Sequence, residues 1–157
     1  MNVTTLISVD PGKATGVAVG TFSDTEPYKL YEIYQIQNGV EGFLEWLKTH
    51  PEWLLKDIVW VSERFVLRGS NKFVADLEPV RIEGAMTALG IKPIWKLRTD
   101  KMFVTDELLK EHGLWQTGKA LGWKDGRDAN DAIVHGLAYL RKNKHLPTLI
   151  NYWGKEV

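Results

Sequence analysis

Between Val3 and Val9 the chain is a β-branched, apolar run that stops at Asp10, Pro11 and Gly12, breaks again at Gly16 and resumes from Val17 to Val19. Two such runs joined through a Pro-Gly turn read as an antiparallel hairpin. The hairpin leaves a carboxylate, Asp10, at the end of its first strand. From Tyr28 to Ile36 aromatic or apolar residues alternate with polar ones, as in a strand with one solvated face. The chain is therefore predicted to open as a three-stranded antiparallel meander.

Downstream, helix and strand patterns alternate. Phe43, Leu44 and Leu47 lie at helical spacing within Gly39 to Thr49, and Ile58 to Val61 is a short apolar run ending at Ser62 and Glu63. That run has the character of a buried central strand. Arg64 to Lys72 reads as a loop and is followed by a helix to Leu89, which Pro79 either starts or kinks and Gly90 stops. Ile91 to Trp95 predicts another buried strand. Thr99 is the predicted cap of a helix reaching His112, with Met102, Val104, Leu108 and Leu109 as its apolar stripe and Gly113 as its stop. After a glycine- and tryptophan-containing loop, Asp128 to Asn143 forms an amphipathic helix with Ile133, Leu137 and Leu140 on one face. The tail beyond Pro147 carries no clear pattern. This order predicts an α/β fold: a mixed five-stranded sheet, the meander plus two parallel strands, flanked by helices. With 157 residues and 44% hydrophobic content, one domain spanning 1–157 is expected.

Composition removes several chemistries. Without cysteine there are no disulfides, thiolate zinc sites or thiol nucleophiles, so catalysis must use oxygen or nitrogen groups. There is neither a basic segment followed by a long apolar run nor a stretch approaching the roughly 18 to 20 apolar residues of a membrane span. A soluble, cytoplasmic protein with no membrane partner is expected. A formal net charge of zero argues against a polyanionic partner unless the charge is segregated. Segregation is visible: Asp24, Glu26, Glu32, Glu41, Glu45, Glu52 and Asp57 dominate one region, whereas Arg64, Arg68 and Lys72 form a basic run. Lys92, Lys96, Arg98 and Lys101 form a second, opposed only by Asp100.

Four carboxylates stand out by position. Asp10 ends the first strand, Glu63 ends the fourth, and Asp128 and Asp131 open the last helix three residues apart, on one face. Strand ends are where open α/β sheets bind ligands, and if the first and fourth strands are neighbours, Asp10 and Glu63 project side by side. Carboxylates within ~4 Å of one another repel unless a divalent ion compensates them, and hard oxygen ligands select Mg2+ or Mn2+. Each has an ordinary reading as well: a turn residue for Asp10, an ion pair with Arg64 or Arg68 for Glu63, a helix cap for Asp128. Asp131 follows the register of the apolar stripe into the protein, where an unpaired charge costs several kcal/mol.

Leu6 to Val19 resembles the opening of RuvC-type Holliday-junction resolvases, an acidic residue and glycine between two strands. Val59 to Phe65 resembles the family's apolar strand delivering a glutamate. Asp128 to Ile133 is similar to its last-helix motif, Asp-x-x-Asp-Ala. The resemblance implies an RNase H-like fold and hydrolysis of branched DNA with two Mg2+ ions per site, Mn2+ substituting. It also implies Asp10 as the bridging ligand, Glu63 and Asp131 each on one ion, and Asp128 as a second or water-mediated ligand. Pro93 to Lys101 resembles the stretch whose lysine contacts the scissile phosphate, which makes Lys101 a catalytic candidate. Arg64, Phe65, Arg68, Lys72, Lys96, Arg98 and Lys101 are then the candidate DNA contacts, and a homodimer, through the helix from Glu78 to Leu89, is implied by the two symmetric nicks a junction needs.

Two departures stand out. The family's junction-stacking aromatic has Phe65 nearby but Val66 nearer its usual spacing, and its Gly-rich segment is replaced by Thr105 to Leu109. Both imply relaxed specificity for four-way junctions. His135, one turn past Asp131, reads as a structural helix residue or a proton-transfer aid. Competing classes are a broader branched-DNA endonuclease or an exonuclease of the same fold, a non-catalytic DNA-binding module, and an actin-like ATPase, which opens with a similar hairpin but needs two lobes.

Overall fold

A computed structural model describes residues 2–55, 57–65, 77–96, 98–117 and 127–154, with the backbone alone of 96, 98 and 99. The meander is present: β1 (Thr4–Asp10) pairs antiparallel with β2 (Thr15–Phe22), and β2 with β3 (Lys29–Ile36). β4 (Ile58–Glu63) and β5 (Ile94–Lys96) add in parallel, giving the order β3-β2-β1-β4-β5. The chain thus has the expected mixed five-stranded sheet. Among the described residues no helix is long and apolar enough to cross a membrane.

Strand alternation builds two cores, one on each face of the sheet. Ile7, Val9, Val17 and Val19 face α1 (Gly39–Thr49) and α2 (Glu78–Ala88), where they pack with Phe43, Leu47, Ile82 and Met86. Leu6, Ala18 and Val61 face α4 (Arg127–Lys142), packing with Ile133, Leu137 and Leu140. α1 spans the segment predicted for it, and Pro79 lies in the first turn of α2, so it starts that helix rather than kinking it. α4 is far more enclosed than its amphipathic pattern implies: from Ala129 to Ala138 every residue except Asp131 is buried.

Two expectations need correction, and the tail, which has no clear pattern in the sequence, takes a definite form. Thr99 does not cap a continuous helix to His112; a tight helical turn covers Arg98–Phe103, and a separate α3 covers Asp106–Glu111. The cap is Thr105, whose extended backbone lets its hydroxyl accept the Leu108 N–H at 3.2 Å, with Asp106 and Glu107 suiting the first turn. Met102 is consequently exposed instead of lying on a stripe. β5 is a short edge strand with Ile94 45% exposed, not a buried one; among the described residues no strand pairs with its outer side. The tail forms α5 (Leu146–Trp153), started by Pro147 and stopped by Gly154 in the left-handed region. It is fastened to the turn before β3: Tyr152 donates to the Tyr28 carbonyl at 2.6 Å, and the Thr148 hydroxyl accepts the Tyr28 N–H at 2.9 Å.

α4 lies against the sheet at unusually close range. The Ser8 hydroxyl donates to the Ala132 carbonyl at 2.6 Å, and a Cβ at Gly136 would meet that hydroxyl at 3.0 Å. A Cβ at Gly16 would fall inside the backbone of Asp128. Gly16→Ala should therefore lower unfolding stability by about 3 kcal/mol, the upper end of overpacking costs, because backbone cannot give way as a side chain does. Gly84→Ala, with open space around it on α2, should instead gain about 0.5–1 kcal/mol. Urea unfolding midpoints of the two variants test the contrast, and equal losses would refute it.

Candidate functional site

Parity along the strands decides where the carboxylates point. Leu6 and Ser8 face α4, so Asp10 does too; Val61 faces α4, so Glu63 does. The β1–β4 register pairs Val9 with Ser62, which puts Asp10 and Glu63 level with each other at the carboxyl ends of adjacent parallel strands. Asp10 has β2 on its other side, paired with Gly16, so its backbone is held from both flanks.

α4 completes the site with a histidine. His135 is 1% exposed, and its Nε2 lies 3.3 Å from Asp10 Oδ1 and 3.3 Å from Glu63 Oε2. One ligand atom from each of these three residues lies within 4.8 Å of the others. Donors on a common cation at about 2.1–2.3 Å can be at most about 4.5 Å apart, so side-chain adjustments of a few tenths of an ångström would let the three share one ion. Two carboxylates and an imidazole are also a donor set suited to a divalent cation. The sequence reading missed this placement of His135, although the spacing from Asp131 to His135 puts both on one helix face.

Asp131 stands beside this trio. Burial raises its carboxyl above the ordinary carboxylate range and the charge of Asp10 raises it further, while Arg127, Lys101 and His135 pull it back. Arg127 Nε reaches Asp131 Oδ1 at 3.4 Å, and the same guanidinium binds Asp106 Oδ2 at 2.9 Å. Asp128 is engaged elsewhere: Gln35 donates to Asp128 Oδ2 at 2.9 Å while its carbonyl accepts the Ala129 N–H at 3.0 Å. Gln35, opposite Gly16 on β3, thus both caps α4 and holds its first carboxylate, which no local pattern announced.

Among the candidate DNA contacts, Lys101 is half-buried and acts electrostatically on Asp131 from the Arg98–Phe103 turn. Arg64 is exposed, at a cleft shared with Glu83, Gly84, Thr87 and Trp95. Phe65 is half-buried, and its N–H donates to Glu83 Oε1 at 2.6 Å, tying the segment after Glu63 to α2. Arg68 and Lys72 lie outside the described residues, as do the side chains of Lys96 and Arg98.

An acid whose folded pKa is raised holds a proton that the unfolded chain releases, so its ionised form opposes folding. That cost is absent below the ordinary carboxylate range and complete above the raised value. In chelator, Asp131→Asn should be more stable than the parent protein near neutral pH, and the gain should vanish as pH falls through the window between those two values. Thermal melts from about pH 3 to 7 test this. A destabilised variant at neutral pH would mean that the Arg127 pair outweighs burial.

No family model matches the sequence, and neither does any curated protein. Solved structures do match. A Thermus thermophilus RuvC structure aligns at 14% identity and a TM-score of 0.56, covering 88% of this chain and 96% of that one. T. thermophilus RuvC in complex with Holliday junction substrate aligns at 12% identity and a TM-score of 0.53, covering 91% and 97%. With its mixed sheet, its helices on both faces and these neighbours, the chain has a RuvC-like, RNase H-like fold.

Proposed function

We propose that this protein is a divalent-metal-dependent endonuclease that hydrolyses phosphodiesters in branched DNA, with Holliday junctions as its leading substrate. The observation that carries this reading is the convergence of Asp10, Glu63 and His135 within 4.8 Å, at paired strand ends of a RuvC-like fold, with Asp131 alongside. Branched DNA is supported by the neighbour that is a RuvC–Holliday junction complex.

Bound divalent cations, two Mg2+ ions in this reading, would acidify a water nucleophile and offset the charge developing on the leaving 3′ oxygen. The protein supplies position. Asp10 would hold both ions, because β2 and β4 fix its strand from both sides. Glu63 approaches from β4 and Asp131 from α4, and each would serve one ion. Asp128, held by Gln35, acts from the outer shell and sets the angle at which α4 enters the site. Lys101 and the exposed Arg64 place the phosphate backbone through contacts that read no base sequence. Arg68, Lys72, Lys96 and Arg98 are the remaining candidate DNA contacts in this reading. Phe65, its backbone anchored by Glu83, would be the aromatic nearest the DNA in this reading.

Two symmetric nicks call for a homodimer, and the outer face of α2 is suited to one. Leu77, Val80 and Leu89 are exposed there, with Gly84 and Ala88 following Val80 at intervals of four. Light scattering that finds only monomer at working concentration would remove this part of the reading.

Asp10→Asn should reduce Mg2+-dependent cleavage about a thousandfold or more, on the several kcal/mol that cation ligation contributes to such transition states. Junction binding in Ca2+ should stay within about threefold, because phosphate contacts are made elsewhere. The assay compares a four-way junction, a fork, a flap and linear duplex. Undiminished cleavage by Asp10→Asn would sink the proposal, and equal cleavage of linear duplex would replace the junction assignment with a broader nuclease.

A further inference from the structure

The donor set closest to Asp10 and Glu63 is not made of oxygen alone. α4 offers three residues on this face, at positions 128, 131 and 135. The first carboxylate is hydrogen-bonded to Gln35 at 2.9 Å, and the second is paired with Arg127 at 3.4 Å. The third residue, His135, is the one whose donor atom falls within 4.8 Å of both strand-borne carboxylates. At 1% exposure its ring cannot turn away into solvent. Ala132 and Gly136, its neighbours towards the sheet, bring the helix backbone within reach of Ser8, and this close approach carries the imidazole up to Asp10.

We infer that His135 Nε2 is a direct ligand of the ion held by Asp10 and Glu63, and that the centre therefore prefers a first-row transition cation such as Mn2+ to Mg2+. The inference rests on the metal-dependent nuclease reading and specifies its ligand set. Mg2+ is small and hard, demands a near-octahedral oxygen shell and gives up water reluctantly. A neutral imidazole offers a softer lone pair, which first-row transition ions accept far more readily. Fixing that nitrogen in a buried position penalises Mg2+ while leaving only small adjustments to the two carboxylates.

The probe is Mn2+ itself, added to the metal-free protein and followed by pulsed electron paramagnetic resonance, with Mg2+ as competitor. The expected result is a 14N coupling from a coordinated imidazole and binding of Mn2+ at least about tenfold tighter than Mg2+. In His135→Asp the coupling should disappear and the Mn2+/Mg2+ affinity ratio should fall; circular dichroism checks that the variant is folded, and the coupling in the unaltered protein does not depend on it. Mn2+ binding that needs Asp10 but shows no nitrogen coupling would overturn the inference and leave the carboxylate-centred nuclease standing. Nitrogen coupling with no preference over Mg2+ would overturn the selectivity. Mn2+ binding that Asp10→Asn leaves unchanged would overturn both the inference and the reading beneath it.

Discussion

Everything at the candidate site depends on how closely α4 rests on β1 and β2. How near a helix backbone comes to the sheet beneath it decides which of the facing side chains meet, because small residues at the contact let the two backbones approach where larger ones would hold them apart. Here the spacing is shortened by Gly16 beneath Asp128 and Gly136 beside Ser8, and it is locked by the bond from Ser8 to the Ala132 carbonyl. Because that carbonyl belongs to the helix and the hydroxyl to the strand, the bond fixes both rotation and height of α4. Rotation by one residue would carry His135 away from Asp10 and Glu63 altogether.

Such proximity has an electrostatic cost that the surrounding residues share. Asp10, Glu63 and Asp131 are like charges in a partly buried space, and Asp131 shows the consequence in its upward shift. His135 contacts two of the three, Arg127 the other, and Lys101 adds positive charge from outside the sheet. Arg127 is shared with Asp106 on α3, so the segment that caps α3 also influences the charge on Asp131. The expected continuous helix from Thr99 would have placed Asp106 in its interior; the break at Thr105 puts it in the first turn, within reach of Arg127.

What sequence could reveal followed from patterns that are local. The meander, α1 and the β4 strand were readable because apolar periodicity and turn residues agree there, and the strand-end positions of Asp10 and Glu63 came with them; that β4 lies beside β1 was only the condition on which the two carboxylates would meet. Two threonines, Thr99 and Thr105, compete as caps for one downstream apolar pattern, and only tertiary packing chooses between them. α5 was illegible because its stability comes from Tyr152 and Thr148 binding a turn well over a hundred residues away in sequence. Gln35 and Arg127 escaped for the same reason: each acts on the site through contacts that no spacing encodes. His135 differs, since its helical register with Asp131 was visible while its partners on two strands were not.

Charge segregation is what would reconcile a neutral chain with the polyanionic partner proposed for it. α1, with Glu41 and Glu45, and the following Glu52 lie on the far side of the sheet from α4. Lys101 and Arg127 attach instead to the α4 side, while Arg64 follows Glu63 at the end of β4. A uniform mixture of the same charges would be neutral at every approach, but at a Debye length of about 8 Å in physiological salt a ligand at the strand ends senses the near side far more than the far one. The sheet therefore does two jobs with one geometry: it sets α1, with Glu41 and Glu45, on the face opposite Lys101 and Arg127, and it carries Asp10 and Glu63 to the strand ends beside Arg64.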